Sequence, residues 1–276
     1  MSENFNPPAA VAEALANNVG VKKTQGSFMK LLIMGIFAGV YIAFGAQLAT
    51  IVGHDISHYL GVGIAKLVIG SVFSVGLMLV VIAGAELFTG NNLIMLSVLN
   101  KKASMGSLLR NWGIVYFANL IGSLLIVLLI HYSGLLSVNG GAVGAKAVAM
   151  ANGKVNLDFL QAFTRAILCN WLVCLAVWIA VAAKSVIGKI FACFFPIMAF
   201  VASGFEHSVA NMYFIPIGIL NKGMAAVGMD VSNLNLGGFI SNLIPVTLGN
   251  IVGGAFFVGV RYKFHYHNDN LSGIRS

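Results

Sequence analysis

Two short polar segments carry the residues whose types and spacing could do chemistry. The segment "GAELFTGNN" places Glu86 and Asn91 inside a long apolar run, and "GFEHSVANM" places Glu206, His207 and Asn211 inside another. Ionisable side chains within apolar runs are costly and usually functional. The imidazole of His207 can change its charge near neutral pH, which suits proton exchange with a weak acid. These residues therefore predict a polar site embedded in apolar surroundings.

The composition indicates that these surroundings are a lipid bilayer. The chain has 276 residues, of which 59% are hydrophobic and only 9% are charged, and its mean hydropathy is +0.92. Soluble domains average about 25% charged residues. The net charge is +8, and the basic residues lie at the ends of apolar runs. This placement favours a membrane topology signal over nucleic-acid binding.

No cofactor and no metal site are predicted. The three cysteines lie in apolar runs without CxxC spacing, which supports neither a disulfide framework nor a zinc site. The segment "HDISH" gives His54 and His58 the spacing of metal ligands, but it lacks the glutamate of the HExxH motif. The cysteines are therefore interpreted as small buried side chains.

The apolar runs predict an all-α membrane protein with six crossings. A span needs about 20 mostly apolar residues. Two runs are longer than one straight span, and each contains one of the polar segments, so each is counted as one interrupted crossing. The four uninterrupted candidates are Leu31–Val52, Asn111–Ile130, Ala166–Ala183 and Ile240–Val260, and the two interrupted ones are Leu67–Leu99 and Ile190–Leu220.

The basic residues predict the orientation of the chain. With the N-terminus inside, eleven Lys and Arg residues fall in inner segments and five in outer segments, as the positive-inside rule requires. Both termini are therefore predicted to be cytoplasmic. Residues 1–26 are interpreted as an N-terminal segment whose short interfacial helix covers Ala9–Val19 and ends near Gly20, residues 27–262 as the channel domain, and residues 263–276 as a tail.

An internal repeat relates the two interrupted spans. Gly84, Glu86 and Asn91 follow the pattern G-x-E-x4-N, and the same pattern recurs 120 residues later. The third and sixth spans also share Asn and Gly, in "NLIGS" and "NIVGG". Each half, about 27–131 and about 160–262, then has three spans of opposite polarity, which is the inverted-repeat plan with a site near the midplane.

The repeat also separates the predicted roles of the ionisable residues. Glu86 and Glu206 are equivalent, which favours a structural role in holding the free backbone N–H groups of the interruptions. Asn91, Asn92 and Asn211 are predicted to cap the ends of the half-helices. His207 has no counterpart, because Leu87 takes its place in the first half, so a site-specific role is predicted for it.

The segments "GAELFTGNN", "ILCNWLVCLAVW", "GFEHSVANM" and "VTLGNIVGG" resemble the signature segments of the formate/nitrite transporter family. The resemblance extends from about Pro8 to Tyr262. It implies an aquaporin-like bundle of six helices with broken second and fifth helices, assembled as a homopentamer in a prokaryotic cytoplasmic membrane. It also implies transport of small monovalent anions of weak acids, and a mixture of features in the gating loop is most similar to the hydrosulfide-channel branch.

The resemblance also implies a role for each residue that matches a family motif. His207 would be the central pore histidine, with Thr89 of the gating loop as its hydrogen-bond partner. The anion would be attracted by Lys154, cross one constriction, and take or share a proton at His207. The other matched positions are Leu77, Leu87 and Phe88 for the inner constriction and gating loop, Phe73, Val173 and Phe200 for the outer constriction, and Lys154 and Asn170 for anion attraction and orientation.

Two other classes of function are open on the residues alone. An aquaporin-like pore for neutral solutes also pairs two broken helices, but the only Asn-Pro pair here, Asn6-Pro7, lies outside the predicted spans. An intramembrane enzyme would have to use Glu206 and His207 as an acid–base pair. Neighbouring residues on a helix point about 100° apart, and neither a nucleophile nor a metal set accompanies them, so the sequence favours transport.

Overall fold

The computed structural model describes residues 5–267, so most of the predicted tail, 263–276, lies outside the described residues. Within residues 5–267 the regular structure is helical, apart from one bridge between Phe5 and Ala183. Five helices are long and apolar enough to cross a membrane: Phe28–Val52, Ile56–Gly84, Met105–Tyr132, Phe159–Ala182 and Leu236–His265. Their positions agree with the four uninterrupted predicted spans and with the first part of the predicted second span.

The chain begins with α1 (Pro8–Ala14), a π-helical stretch (Leu15–Val19) and α2 (Gly20–Thr24). The prediction that this helix ends near Gly20 is wrong, because the backbone stays helical through that residue. Gly20 instead allows close packing, since a Cβ there would lie 2.2 Å from Ser97 Oγ. The segment packs through Val11 and Leu15 against protein, in a cluster that includes Trp178.

The first half continues with three longer helices and several short ones. Its elements are α3 (Phe28–Val52), α4 (Ile56–Phe73), α5 (Val75–Met78), a π-helical stretch (Leu79–Gly84), a 3₁₀ helix (Gly90–Ile94), α6 (Met95–Leu99) and α7 (Met105–Tyr132). The connection between the two halves contains a 3₁₀ turn (Leu135–Ser137) and the helix α8 (Ala142–Val155). Helix α8 packs on α11 because Gly218 of α11 meets Ala151.

The second half follows the same order of elements. They are α9 (Phe159–Ala182), α10 (Val186–Ala202), α11 (Ser208–Leu220), a 3₁₀ turn (Lys222–Met224), α12 (Leu236–Ile251), a π-helical stretch (Val252–Val260) and α13 (Arg261–His267). The predicted fifth span thus corresponds to two apolar helices, α10 and α11, each too short to cross a bilayer alone. Large apolar side chains such as Phe117 and Ile187 stay exposed on the outside of the bundle, as lipid or a neighbouring subunit requires.

Helical backbone stops at both polar segments inside the apolar sequence. After Gly84 the chain turns extended at Ala85 and becomes helical again only at Gly90. After Ala202 it leaves the helix and resumes at Ser208. Gly84 and Gly204 have φ values of +87° and +76°, in the left-handed region that glycine enters without the steric cost of a side chain.

Close glycine contacts hold the first and third long helices of each half together. A Cβ on Gly122 of α7 would lie 1.9 Å from the carbonyl oxygen of Ile36 on α3. In the second half, a Cβ on Gly253 would correspondingly lie 2.2 Å from the carbonyl oxygen of Ile167. The backbones therefore approach more closely than any residue with a Cβ would allow at these positions.

We expect Gly122→Ala to destabilise the protein by about 1–3 kcal/mol, because the new methyl group must displace main chain rather than a flexible side chain. Gly113→Ala, on the same helix, is the matched control. No atom lies within 4 Å of a Cβ placed on Gly113, so alanine should there be neutral or slightly stabilising through its higher helix propensity. Thermal unfolding of the two purified variants in detergent measures the difference. Equal midpoints for both would contradict the close contact of α3 with α7.

Candidate functional site

The two interruptions meet at one polar contact in the middle of the bundle. Thr89 ends the first interruption and His207 ends the second, and Thr89 Oγ1 lies 2.8 Å from His207 Nε2. Both side chains are buried. The structure thus brings together the two residues that the family resemblance pairs, although they are far apart in the sequence.

The helix that follows His207 fixes its tautomer. His207 is the N-cap of α11, and its Nδ1 accepts a hydrogen bond from the backbone N–H of Ala210 at 3.1 Å. A ring nitrogen that accepts cannot carry the proton, so the neutral imidazole holds its hydrogen on Nε2. Nε2–H then donates to Thr89 Oγ1, which leaves the hydroxyl hydrogen of Thr89 available to a third group. The site therefore presents a hydrogen-bond donor in apolar surroundings.

Each glutamate lies in an equivalent set of polar contacts. Glu206 Oε1 pairs with Lys154 Nζ at 2.9 Å, and Oε2 accepts from Asn211 Nδ2 at 2.7 Å. Asn211 Nδ2 also donates to Asn242 Oδ1. In the first half the corresponding set is Lys23, at 2.8 Å from Glu86, with Asn91 and Asn111.

These contacts correct two predictions about the interruptions. Asn91 and Asn211 do not cap the following half-helices, because their amides are bound to glutamate and to another asparagine. The carboxylates do not hold free backbone N–H groups either. The N–H of Glu86 bonds to the carbonyl of Met34 and that of Glu206 to the carbonyl of Arg165, so each glutamate instead pairs with a partly buried lysine and an amide.

Two further asparagines bind free main-chain groups of the interruptions. Asn119 accepts from the N–H of Phe88 and donates to the carbonyl of Glu86. Asn250 accepts from the N–H of Ser208 and donates to the carbonyl of Glu206 in the same way. Unpaired backbone groups are too costly inside a membrane to be left exposed to lipid. The shared "NLIGS" and "NIVGG" segments gave the signal for these residues, whereas Lys23, Asn111 and Asn242 were missed.

Aromatic rings flank one side of the histidine. The ring centroid of Phe200 lies 5.9 Å from that of His207 and 5.9 Å from that of Phe73. Phe73 also stacks on Phe214 at 6.3 Å. Val173, the third residue matched to the outer constriction, is buried in the same apolar cluster.

A cavity adjoins the first interruption. Its volume is about 200 Å³, and its lining includes Leu77, Leu87, Lys23 and Asn91. Phe88, which the resemblance places in the gating loop, packs its ring edge-on against Tyr116 at 4.9 Å and against Trp112 at 6.0 Å. Its side chain therefore anchors the loop on α7.

The polar residues matched to anion attraction and orientation are already engaged. Lys154 Nζ lies 5.3 Å from the ring centroid of Phe214, besides its pair with Glu206. Asn170 Nδ2 donates to two main-chain carbonyls, that of Thr89 at 3.2 Å and that of Asn250 at 2.7 Å. An amide nitrogen has only two hydrogens, so Asn170 must release one of these bonds before it can donate to an anion.

Known proteins resemble the chain over nearly its whole length. The family model described as "Formate/nitrite transporter" matches residues 9–264. A "Probable formate transporter" of Methanothermobacter thermautotrophicus is 45% identical, over 96% of this chain and 99% of that protein. The "Formate channel FocA" of Escherichia coli (strain K12) is 41% identical, over 95% of each chain.

Solved structures agree with these relatives. A "Pentameric formate channel with formate bound" superposes with a TM-score of 0.78 at 40% identity, covering 87% of this chain and 98% of that one. An "FNT family ion channel" superposes with a TM-score of 0.75 at 32% identity, covering 93% and 94%. Sequence and fold thus confirm the resemblance drawn from the signature segments, and the chain belongs to the formate/nitrite transporter family.

Proposed function

We propose that this protein is a membrane channel for small monovalent anions of weak acids, with formate as its main substrate. The observation that carries the proposal is the buried contact between Thr89 and His207, with the ring of Phe200 beside the histidine and a cavity lined by Leu77 and Leu87 at the first interruption. Family membership and the formate names of the relatives support it.

The proposed architecture has six crossings in two inverted three-helix repeats, about 27–131 and about 160–262, with the second and fifth helices broken. The equivalent contact sets around Glu86 and Glu206 support this duplication. Both termini are cytoplasmic in the proposal, which places Lys23 on the inner side and Lys154 on the outer side of a prokaryotic cytoplasmic membrane. The pentameric neighbour supports a homopentamer in which each subunit has its own pore.

The proposed path runs from one lysine to the other past the histidine. A charged group at the centre of a membrane costs about 2.5–3.5 kcal/mol even on lenient scales. Lys23 and Lys154 attract the anion at the two ends, and the donor hydrogens of His207 and Thr89 compensate its lost hydration in the middle. Leu77 and Leu87 form the inner constriction, and Phe73, Val173 and Phe200 form the outer one.

Proton exchange at His207 is part of the proposal, and the geometry indicates its cost. The imidazolium form gives a proton to the anion, which leaves as the neutral acid while His207 returns to the neutral form. Forming imidazolium puts a hydrogen on Nδ1, which ends its bond with Ala210. An N-cap contributes about 1 kcal/mol, so the cost of the lost cap is modest beside that of burying the charge.

A flux comparison tests the anion class. We expect proteoliposomes containing the protein to conduct formate, nitrite and hydrosulfide and to exclude chloride. Chloride has no weakly acidic conjugate form near neutral pH and cannot use proton exchange. Flux of the weak acids should rise as the pH falls from 7.5 to 5.5, because each proton exchange at His207 draws its proton from solution.

The same vesicles separate the competing functions. Hydrosulfide flux well above formate flux would move the protein to the hydrosulfide branch. Rapid osmotic swelling with water or glycerol, without anion flux, would contradict the proposal in favour of a neutral-solute pore. Empty vesicles and vesicles with a heat-denatured sample are the controls for leak.

A further inference from the structure

Four hydrogen-bond donors converge on one carbonyl oxygen, that of Thr89. Asn92 supplies its backbone N–H at 3.4 Å and its Nδ2 at 3.2 Å. Asn170 supplies Nδ2 at 3.2 Å, and Cys174 supplies Sγ at 3.4 Å. Asn92, Asn170 and Cys174 are all completely buried. A carbonyl has only two lone pairs, so this oxygen is held by more donors than it can bind ideally.

This arrangement is absent from the duplicated scaffold. In the repeat that matches Glu86 with Glu206, Thr89 and Asn92 correspond to Val209 and Met212. Helices α3 and α9 match through the carbonyls of Gly35 and Ala166, which accept from Asn119 and Asn250. Asn170 and Cys174 lie four and eight residues after Ala166. The residues at the same distances after Gly35 are Gly39 and Ala43. None of these counterparts has a side-chain donor, so architecture alone does not account for the three side-chain donors.

The side chains of these donors pack closely against Gly254. A Cβ on Gly254 would lie 2.5 Å from Asn170 Nδ2, 2.7 Å from Cys174 Sγ and 2.8 Å from Asn92 Cβ. The second hydrogen of Asn170 binds the carbonyl of Asn250, and Asn250 holds Ser208, the residue after His207. The donors therefore connect the backbone of Thr89 with the backbone beside His207.

We propose that Cys174, together with Asn92 and Asn170, is a positioning residue that keeps the Thr89 hydroxyl opposite His207 Nε2. Thr89 is at an N-cap position, yet its side chain makes no cap hydrogen bond. Threonine is a favoured cap, so the hydroxyl would compete for that role if the carbonyl were free to rotate. Holding the carbonyl from three sides directs the hydroxyl to the histidine. The inference rests on the proposed function, since it assigns Cys174 to the same anion site.

The thiol is the donor that substitution can remove with least disturbance. Cys174→Ala removes the donor and a little volume, Cys174→Val removes the donor at similar volume, and Cys174→Ser restores a donor. Cys193→Ala is the control, because Cys193 is equally buried but lies on α10. All variants are full-length and are measured for formate flux against pH in proteoliposomes and for thermal unfolding in detergent.

We expect Cys174→Ala and Cys174→Val to lower formate flux about fivefold, the effect of losing one hydrogen bond of about 1 kcal/mol. Their flux should also depend less on pH, whereas Cys174→Ser and Cys193→Ala should keep the wild-type profile. A wild-type profile in Cys174→Val would overturn the assignment. So would a Cys174→Ser variant as impaired as Cys174→Ala, because volume would then matter and not the donor.

The result is distinguishable from failure of the proposed function. If wild-type vesicles conduct formate and substitution of His207 alters the pH profile, the anion site is correct whatever Cys174 does. If the wild type conducts no anion, the proposed function itself fails. Should Cys174→Ala not fold, Cys174→Val and Cys174→Ser still test the donor at near-native volume.

Discussion

Replacing His207 with asparagine should lower formate flux at least about tenfold and remove its dependence on pH between 5.5 and 7.5. Asparagine is a good N-cap, so it can still accept from the N–H of Ala210 and keep α11 in place. Its side chain is too short to reach Thr89, and it does not titrate. Hydrogen bonds to charged groups contribute about 1.5–3 kcal/mol, and each 1.4 kcal/mol is about tenfold.

The comparison with His207→Phe separates the two roles of the histidine. Phenylalanine removes both the donor and the cap, so this variant should lose the same flux and also unfold at a lower temperature. The measurements are formate flux in proteoliposomes at several pH values and thermal unfolding in detergent. A wild-type pH profile in folded His207→Asn protein would reject proton exchange at His207.

Replacing Lys154 with methionine should destabilise the protein by about 3 kcal/mol. The carboxylate of Glu206 would lose its cation, and removing one partner of a buried ion pair leaves an uncompensated charge. Glu206 is almost fully buried and Lys154 is only 16% exposed. For a chain of this size, such a loss should lower the midpoint of thermal unfolding by about 5–10 °C.

A double variant separates stability from anion attraction. In Lys154→Met/Glu206→Gln the buried charge is gone and the amide can still accept from Asn211, so most of the stability should return. If Lys154 also attracts the anion, formate flux at low salt stays reduced, and the deficit shrinks as salt screens the wild-type charge. Full wild-type flux in the folded double variant would show that Lys154 stabilises the protein through Glu206 and does not attract the anion.

Lys23→Met and Lys23→Met/Glu86→Gln are the matched controls from the first half. Lys23 and Glu86 are more exposed, at 25% and 14%, so solvent compensates the single charge better there. We expect a smaller loss of stability in Lys23→Met than in Lys154→Met. An equal loss would mean that burial does not determine how much the protein is destabilised when the lysine of each ion pair is removed.

The sequence was sufficient to predict the long membrane-spanning helices and the family. A run of about 20 apolar residues has the length and composition of a membrane-spanning helix. The four uninterrupted predicted spans accordingly coincide with long helices. The signature segments identified the family because several long motifs occur together. The repeated G-x-E-x4-N pattern also marked the two places where helical backbone stops.

Local patterns failed where a residue's partner is distant in the chain. Asparagine next to a helix start favours a cap by propensity, yet Asn91 and Asn211 bind a carboxylate and another amide, because those groups offer stronger partners. Gly20 favours a helix end, yet it serves close packing against Ser97. The helix α8 was missed because its small, weakly apolar residues gave no strong pattern.

The sequence by itself determined that the chain is a helical membrane protein of the formate/nitrite transporter family with two polar segments in apolar runs. Only the tertiary structure decided that Lys23 and Lys154 compensate the glutamates, that the N-cap of α11 places the hydrogen of His207 on Nε2, and that three buried side chains hold the Thr89 carbonyl. The physical reason is that buried charges and free main-chain groups must find partners, and helix packing alone determines which distant side chains come within reach.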